Sequence, residues 1–166
     1  MATIEELIQE LEQETHATRR VLERIPEDHL EWRPHPKSQS LGQLAMHVAT
    51  IPGTLAEVST RPFDVGTPIP RPSAESVDQL LDTLSRSVAQ ATQILRSIGD
   101  RGLAVQWQML DGERELWALP RGVFLRTTML NHWYHHRGQL TVYLRQLGVP
   151  LPAVYGDSAD EKMVPA

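Results

Sequence analysis

Three of the seven histidines fall inside five positions, in "HWYHH", residues 132–136. Four residues advance a helix by about 400°, so the His132 and His136 rings would sit one turn apart and about 40° off in direction. That is the geometry by which two imidazoles grip one metal ion on a helix. The stripe they share is apolar: Leu125, Met129, His132, His136, Leu140, Tyr143 and Leu147 succeed one another in steps of three or four. Imidazole nitrogens on such a stripe need partners, and a single ion would satisfy both rings.

A third ligand must come from another element. His47 is three residues after Leu44 and four before Ile51, so it borders the buried face of its helix. Turned inward opposite His132 and His136, it would complete a three-nitrogen set. His29 and His35 fall in a polar, proline-flanked connection, and His16 lies off the best apolar stripe of its helix. On spacing alone two readings stay open: a metal site, or inward histidines hydrogen-bonded to carbonyls or carboxylates. His135 points about 60° to the side of His132 and reads as a surface residue, and Arg137 faces away from the stripe and reads as structural.

Other chemistry is scarce. There is no Gly-rich phosphate loop and no Gly-x-Ser-x-Gly elbow. Cysteine is absent, which removes disulfides, zinc ribbons and thiol nucleophiles and fits a reducing cytoplasm. Net charge is -5 with no basic run, which argues against nucleic acid as a partner. No segment is apolar over a membrane-spanning length. The acidic, amphipathic start "MATIEELIQELEQETHATRR" lacks the pattern of a signal peptide. A cytoplasmic protein is expected, folded over residues 1–166 as one domain.

Four helical segments must position the histidines. Ile4, Leu7, Leu11, Leu22 and Ile25, with Thr15 and Thr18 between them, mark a helix from about 3 to 25, ended by Pro26. Ser40-Leu-Gly-Gln43 has the form of a capping box opening the second helix. Leu44, Val48, Ile51, Leu55 and Val58 follow on one face, and Pro52-Gly53 should kink or split it near Val48. Ser73 is the expected cap of the third, whose stripe is Val77, Leu81, Leu84, Val88, Ala91, Leu95 and Ile98. Between residues 60 and 73 four prolines mark a surface connection. Leu103, Val105, Trp107 and Met109 alternate before Asp111-Gly112, predicting a short β-hairpin turning at that pair. A crossover of that length lets the third and fourth helices run parallel. The fourth helix is expected to begin near Pro120 and stop at Gly148-Val149-Pro150.

At these residues a family resemblance emerges. "HWYHHRGQLTVYLRQLGVPLPAVYGDSADE", residues 132–161, is similar to the end of DinB-like proteins, the DinB/YfiT-type metalloenzymes. "LGQLAMHVATIPG", residues 41–53, resembles their second-helix histidine motif with its following proline, and "WRPHPKSQS", residues 32–40, the loop leading into it. The resemblance implies an all-α four-helix bundle with long crossovers in up-down-down-up order. It implies a divalent metal, zinc or nickel, on His47, His132 and His136, and assembly as a homodimer. Iron and manganese also suit three imidazoles. Relatives include thiol-dependent transferases and isomerases, so the implied partners are a small electrophilic substrate and a low-molecular-weight thiol.

Two function classes follow. Three neutral ligands leave an open position on the metal, where a water or thiol becomes a nucleophile near neutral pH; that is a transferase or hydrolase. The alternative is a non-catalytic binding or stress-response protein in which the metal ties two helices together. No acidic residue is marked by its spacing as a general base, and Tyr143 lies two turns from His136.

Overall fold

Thr3 and Glu6 cap the first helix reciprocally. The Glu6 N–H donates to Thr3 Oγ1 at 3.2 Å, and the Thr3 N–H donates to the Glu6 carboxylate at 2.7 Å, satisfying donors that a helix start leaves free. In the computed structural model, which describes residues 3–163, this helix, α1, spans Ile4–Leu22. It stops short of Ile25, but the whole expected apolar set, Ile25 included, is buried. Thr18 is buried within that face, and Thr15 is half-buried, its hydroxyl donating to the Leu11 carbonyl at 2.6 Å.

The second helix, α2 (Leu41–Val58), opens on the expected Ser40–Gln43 capping box. It is not split at Pro52, because the backbone groups that Pro52 disturbs find other partners. Proline brings no N–H to the Val48 carbonyl four residues back; the Trp133 indole N–H donates there instead, at 2.9 Å. The Gly53 N–H donates to Ser87 Oγ at 2.8 Å, and that hydroxyl donates to the Thr50 carbonyl at 3.1 Å.

The third helix, α3, spans Val77–Gly102 and is capped by Ser76, not Ser73: Ser76 Oγ accepts from the Gln79 N–H. Its buried face is Leu80, Leu84, Ser87, Ala91 and Leu95. Val77, Leu81, Val88 and Ile98, counted on the stripe from spacing, flank that face half-buried. Gly99, at φ 60°, interrupts the last turn. Beyond it, Asp100 Oδ1 accepts from the Ile4 N–H at 2.8 Å, joining this end of α3 to the start of α1.

The connection from α3 to the fourth helix is a hairpin, as expected, but it belongs to a three-stranded sheet. β1 (Phe63–Asp64) comes from the proline-rich connection and pairs parallel with β2 (Gln106–Asp111); β2 pairs antiparallel with β3 (Arg114–Pro120). Asp111 pairs with Arg114, so the turn residues are Gly112-Glu113 rather than Asp111-Gly112. Of these two turn residues Gly112 has positive φ, at 59°, and Glu113 does not, as required of a turn with glycine in its first central position. Trp107 anchors the sheet: its indole N–H donates to the Val58 carbonyl at 2.9 Å, and its ring packs on Phe124 with centroids 4.1 Å apart.

Pro120 closes β3 and caps the next helix rather than lying in its first turn. α4 (Arg121–Phe124), a π-helical stretch (Leu125–Asn131) and α5 (His132–Gln146) then follow in succession. α2 packs on α3 and α5, and α1 packs on the same two helices. The described residues thus form four long helical segments with a small sheet at one crossover. The all-α expectation is corrected to that extent.

Candidate metal centre

The π-helical stretch decides which way the histidines face. A widened turn shifts the helical register, so an α-helical count carried across it drifts. Leu125, Met129 and Leu130 are buried before the shift; Trp133, Arg137, Leu140 and Leu144 are the buried residues of α5 after it. His132 and His136 therefore sit at the border of the core, half-buried, facing α2.

His47 meets them there. Among the described residues, His47, His132 and His136 bring one ring nitrogen each to within 4.8 Å of one another. Their ring centroids are 5.3, 4.6 and 4.5 Å apart. His47 Nε2 and His132 Nε2 are 3.3 Å apart. Two imidazole nitrogens on a tetrahedral ion at the usual metal–nitrogen length stand about 3.3 Å apart, so this pair already has the spacing of a shared ligand set. The cluster can hold a divalent metal.

The second nitrogens support that use. His136 Nδ1 lies 2.7 Å from Gln139 Oε1; an amide oxygen only accepts, so Nδ1 carries the proton and Nε2 keeps its lone pair. Gln139, one turn on from His136, was legible only as an i,i+3 neighbour.

The electrostatics keep the rings neutral. Burial, the neighbouring His136 and His132, and the Arg71 guanidinium push His47 down to about 4. Burial and then His135 lower His132, against a backbone hydrogen bond with Thr128. Burial lowers His136, against its bond to Gln139, with His132 and His135 adding to the fall. Near neutral pH all three are unprotonated, the state a metal requires.

The remaining candidates fall outside the cluster. His29 Nδ1 faces the Asp28 carboxylate at 2.9 Å, and His35 Nδ1 accepts from the Lys37 N–H. His16 and His135 are exposed, although the His135 ring stacks edge-on to His136 at 4.9 Å. The Tyr143 hydroxyl is committed to the Gln39 carbonyl at 3.4 Å. Arg137 is buried against α1, paired with Glu14 at 2.6 Å and bonded to Thr18, between the rings of Tyr134 and Tyr155. That is a structural role, at the back of the metal-facing helix.

Four long helical segments, with three histidines from two of them converging on one point, make a fold and a site compatible with a bound divalent metal. The family model described as "DinB family" matches residues 1–163, and the chain belongs to that family. A DinB-like protein from Bacillus cereus ATCC 10987 is 28% identical, with a TM-score of 0.73 over 92% of this chain and 98% of that one. The DinB-like protein YjoA of Bacillus subtilis, 19% identical, shares the fold with a TM-score of 0.64 over 95% of this chain and 99% of its own. An uncharacterized protein of Bacillus subtilis strain 168, YrdA, is 23% identical over 163 residues, covering 96% of this chain and 92% of that protein.

Proposed function

We propose that the chain is a metal-dependent enzyme acting on a small electrophilic molecule, its divalent ion held by His47, His132 and His136. The observation that carries this reading is the count of converging side chains: three imidazoles and, among the described residues, no fourth histidine or carboxylate grouped with them. A structural zinc site is normally closed by four protein ligands, whereas a three-ligand site keeps a position for water or substrate. Bound there, zinc or nickel would supply Lewis acidity, lowering the pKa of a water or a low-molecular-weight thiol.

The chain's own residues do the rest. Gln139 holds the His136 tautomer. Trp133, buried directly after His132, ties α5 to α2 through the Val48 carbonyl, one residue from His47. Burial keeps the imidazoles unprotonated and available. The wider setting of this reading is a four-helix bundle in up-down-down-up order forming one domain, a homodimer, and a cytoplasmic site of action. No helix among the described residues is long and apolar enough to cross a membrane.

The test is spectroscopic. Cobalt-substituted protein should change its visible spectrum when a small thiol or azide is added, because an open position accepts exogenous ligands. A cobalt spectrum indifferent to thiol, azide and imidazole alike would mean a closed site, and the enzyme reading would fall.

A further inference from the structure

The rotation of α5 about its own axis decides whether its histidines face α2, and the sequence of this helix fits two registers. A plain α-helical count puts Leu125, Met129, His132, His136, Leu140, Tyr143 and Leu147 inward. The observed helix, displaced by the π-helical stretch, buries Trp133, Arg137, Leu140 and Leu144 instead. One residue of register is about 100° of rotation, enough to turn both imidazoles away from His47.

Apolar content separates the two registers poorly. Leu140 belongs to both, and Trp133 with Leu144 stands against Tyr143 with Leu147. What sets them apart is Arg137. The observed register carries its side chain to 3% exposure, and a charge so placed is tolerated only when it is paired and hydrogen-bonded. In the other register it would lie in water.

Glu14, on α1, supplies the pairing. Its carboxylate is 2.6 Å from Arg137 Nη1, and its backbone carbonyl accepts from the same nitrogen at 3.3 Å. One turn further along α1, Thr18 Oγ1 accepts at 3.2 Å. Tyr155 frames the pair from the C-terminal segment: its hydroxyl donates to Glu14 Oε2 at 2.6 Å and accepts from Arg137 Nη2. Among the described residues no other carboxylate pairs with Arg137. Glu10 and Arg126 also join α1 to this rod, but Arg126 lies inside the π-helical stretch, so that pair does not set the register beyond it.

We propose that Glu14 is a positioning residue for the metal centre: by holding Arg137 inside the bundle it fixes the rotation of α5 that aims His132 and His136 at His47. The inference rests on the three-histidine reading and adds to it a residue on a helix that carries no ligand. Glu14 acts through Arg137, the neighbour of His136, from the back of α5. Removing Glu14 alone strands a buried charge, and the helix relieves it by turning Arg137 out and the histidines in. Removing both partners strands nothing, so Trp133, Leu140 and Leu144 keep the register.

The test measures zinc affinity against a competing chelator. In metal-free protein it also measures the ring-proton NOE between His47 and His136, whose centroids are 4.6 Å apart. Glu14→Gln should lower zinc affinity by about 10–100-fold, the usual effect of losing a group that orients a ligand, and should weaken the NOE. Arg137→Met combined with Glu14→Leu should return both to the parent level. Leu95→Ala, a core cavity in a helix without a ligand, should lower the urea midpoint and leave both readouts unchanged. Where Glu14→Gln does not fold, Tyr155→Phe takes its place and should move both readouts in the same direction by less. Unmoved readouts in the folded variant, no recovery in the double variant, or an equal loss in Leu95→Ala would each overturn the positioning role and leave the metal reading standing. Absent zinc uptake by the parent protein would overturn the metal reading, and the NOE alone would then decide the role of Glu14.

Discussion

The indole N–H of Trp133 donates to the Val48 carbonyl at 2.9 Å, in the place that the missing N–H of Pro52 leaves vacant. Val48 follows His47 and Trp133 follows His132, so this bond joins the two ligand-bearing helices within one residue of the ligands. Removing the indole should leave a buried carbonyl unsatisfied, at about 1–3 kcal/mol. Trp133→Phe should therefore destabilise the protein by about that amount and weaken zinc binding. Pro52→Ala restores a backbone N–H that reaches Val48, so in the Trp133→Phe background it should recover part of the loss. Strict additivity of the two substitutions in urea unfolding would show that the bond contributes nothing.

The histidines themselves give the most direct prediction. Purified protein should carry one divalent transition metal per chain by elemental analysis. His47→Ala, His132→Ala and His136→Ala should each reduce that content strongly, since each supplies a nitrogen to the cluster. His135→Ala should leave it near the parent level, because His135 is exposed and outside the set. Full metal content in the His47→Ala protein would break the three-ligand assignment.

What the sequence conveyed and withheld can be seen on the same helix. The i,i+4 spacing of His132 and His136 and the half-buried register of His47 were enough to select the cluster, because α5 is regular from His132 onward. The buried stripe of that helix was not legible. An α-helical count placed the histidines inward and Arg137 outward, but the π-helical stretch rotates the register, putting Arg137 inside against Glu14. Nothing local marks a π turn in "LRTTMLN". The capping box at Ser40 was readable because its two partners lie three residues apart. The cap at Ser76 was misplaced to Ser73 because both serines fit the local pattern. Strand β1 was hidden in a proline-rich connection, since two residues pairing across more than forty positions leave no periodicity. Arg71 carried no signal at all: it lies beside His47 only in the folded chain, twenty-four positions away in sequence.

Metal-free protein should lose stability in mildly acidic solution. The folded His47 titrates at about 4, below the 6.5 of an unperturbed imidazole. Between those values the unfolded chain takes up a proton that the folded chain refuses, so stability is full above pH 6.5 and falls as pH drops through the window. His132 and His136, also lowered, act with the same sign. The depressed carboxyl of Glu10, hydrogen-bonded to Arg126, adds its own loss only at lower pH. Urea midpoints should decline from pH 7.5 to pH 5.5, and less steeply in His47→Gln. An equal slope in that variant would place the titration elsewhere.

Removing the metal should leave the fold intact. The buried apolar cluster draws on α1, α2, α3, the π-helical stretch and α5, and none of the three histidines belongs to it. The Arg137–Glu14 pair and the Ser87 and Trp133 bonds hold the helices together without passing through the ring nitrogens. The imidazoles are half-exposed already, and rehydrating them should cost no more than the 1–3 kcal/mol or so of an unpaired buried group each, against roughly 5–15 kcal/mol for a typical domain. Conversely, an ion at a hundred times its dissociation constant should stabilise the folded chain by about 2.7 kcal/mol. Chelated protein should therefore keep its helical circular dichroism and a cooperative melt, with a midpoint that rises on adding zinc. Loss of helical signal on chelation would make the ion part of the scaffold rather than an addition to a finished fold, and would favour the non-catalytic alternative.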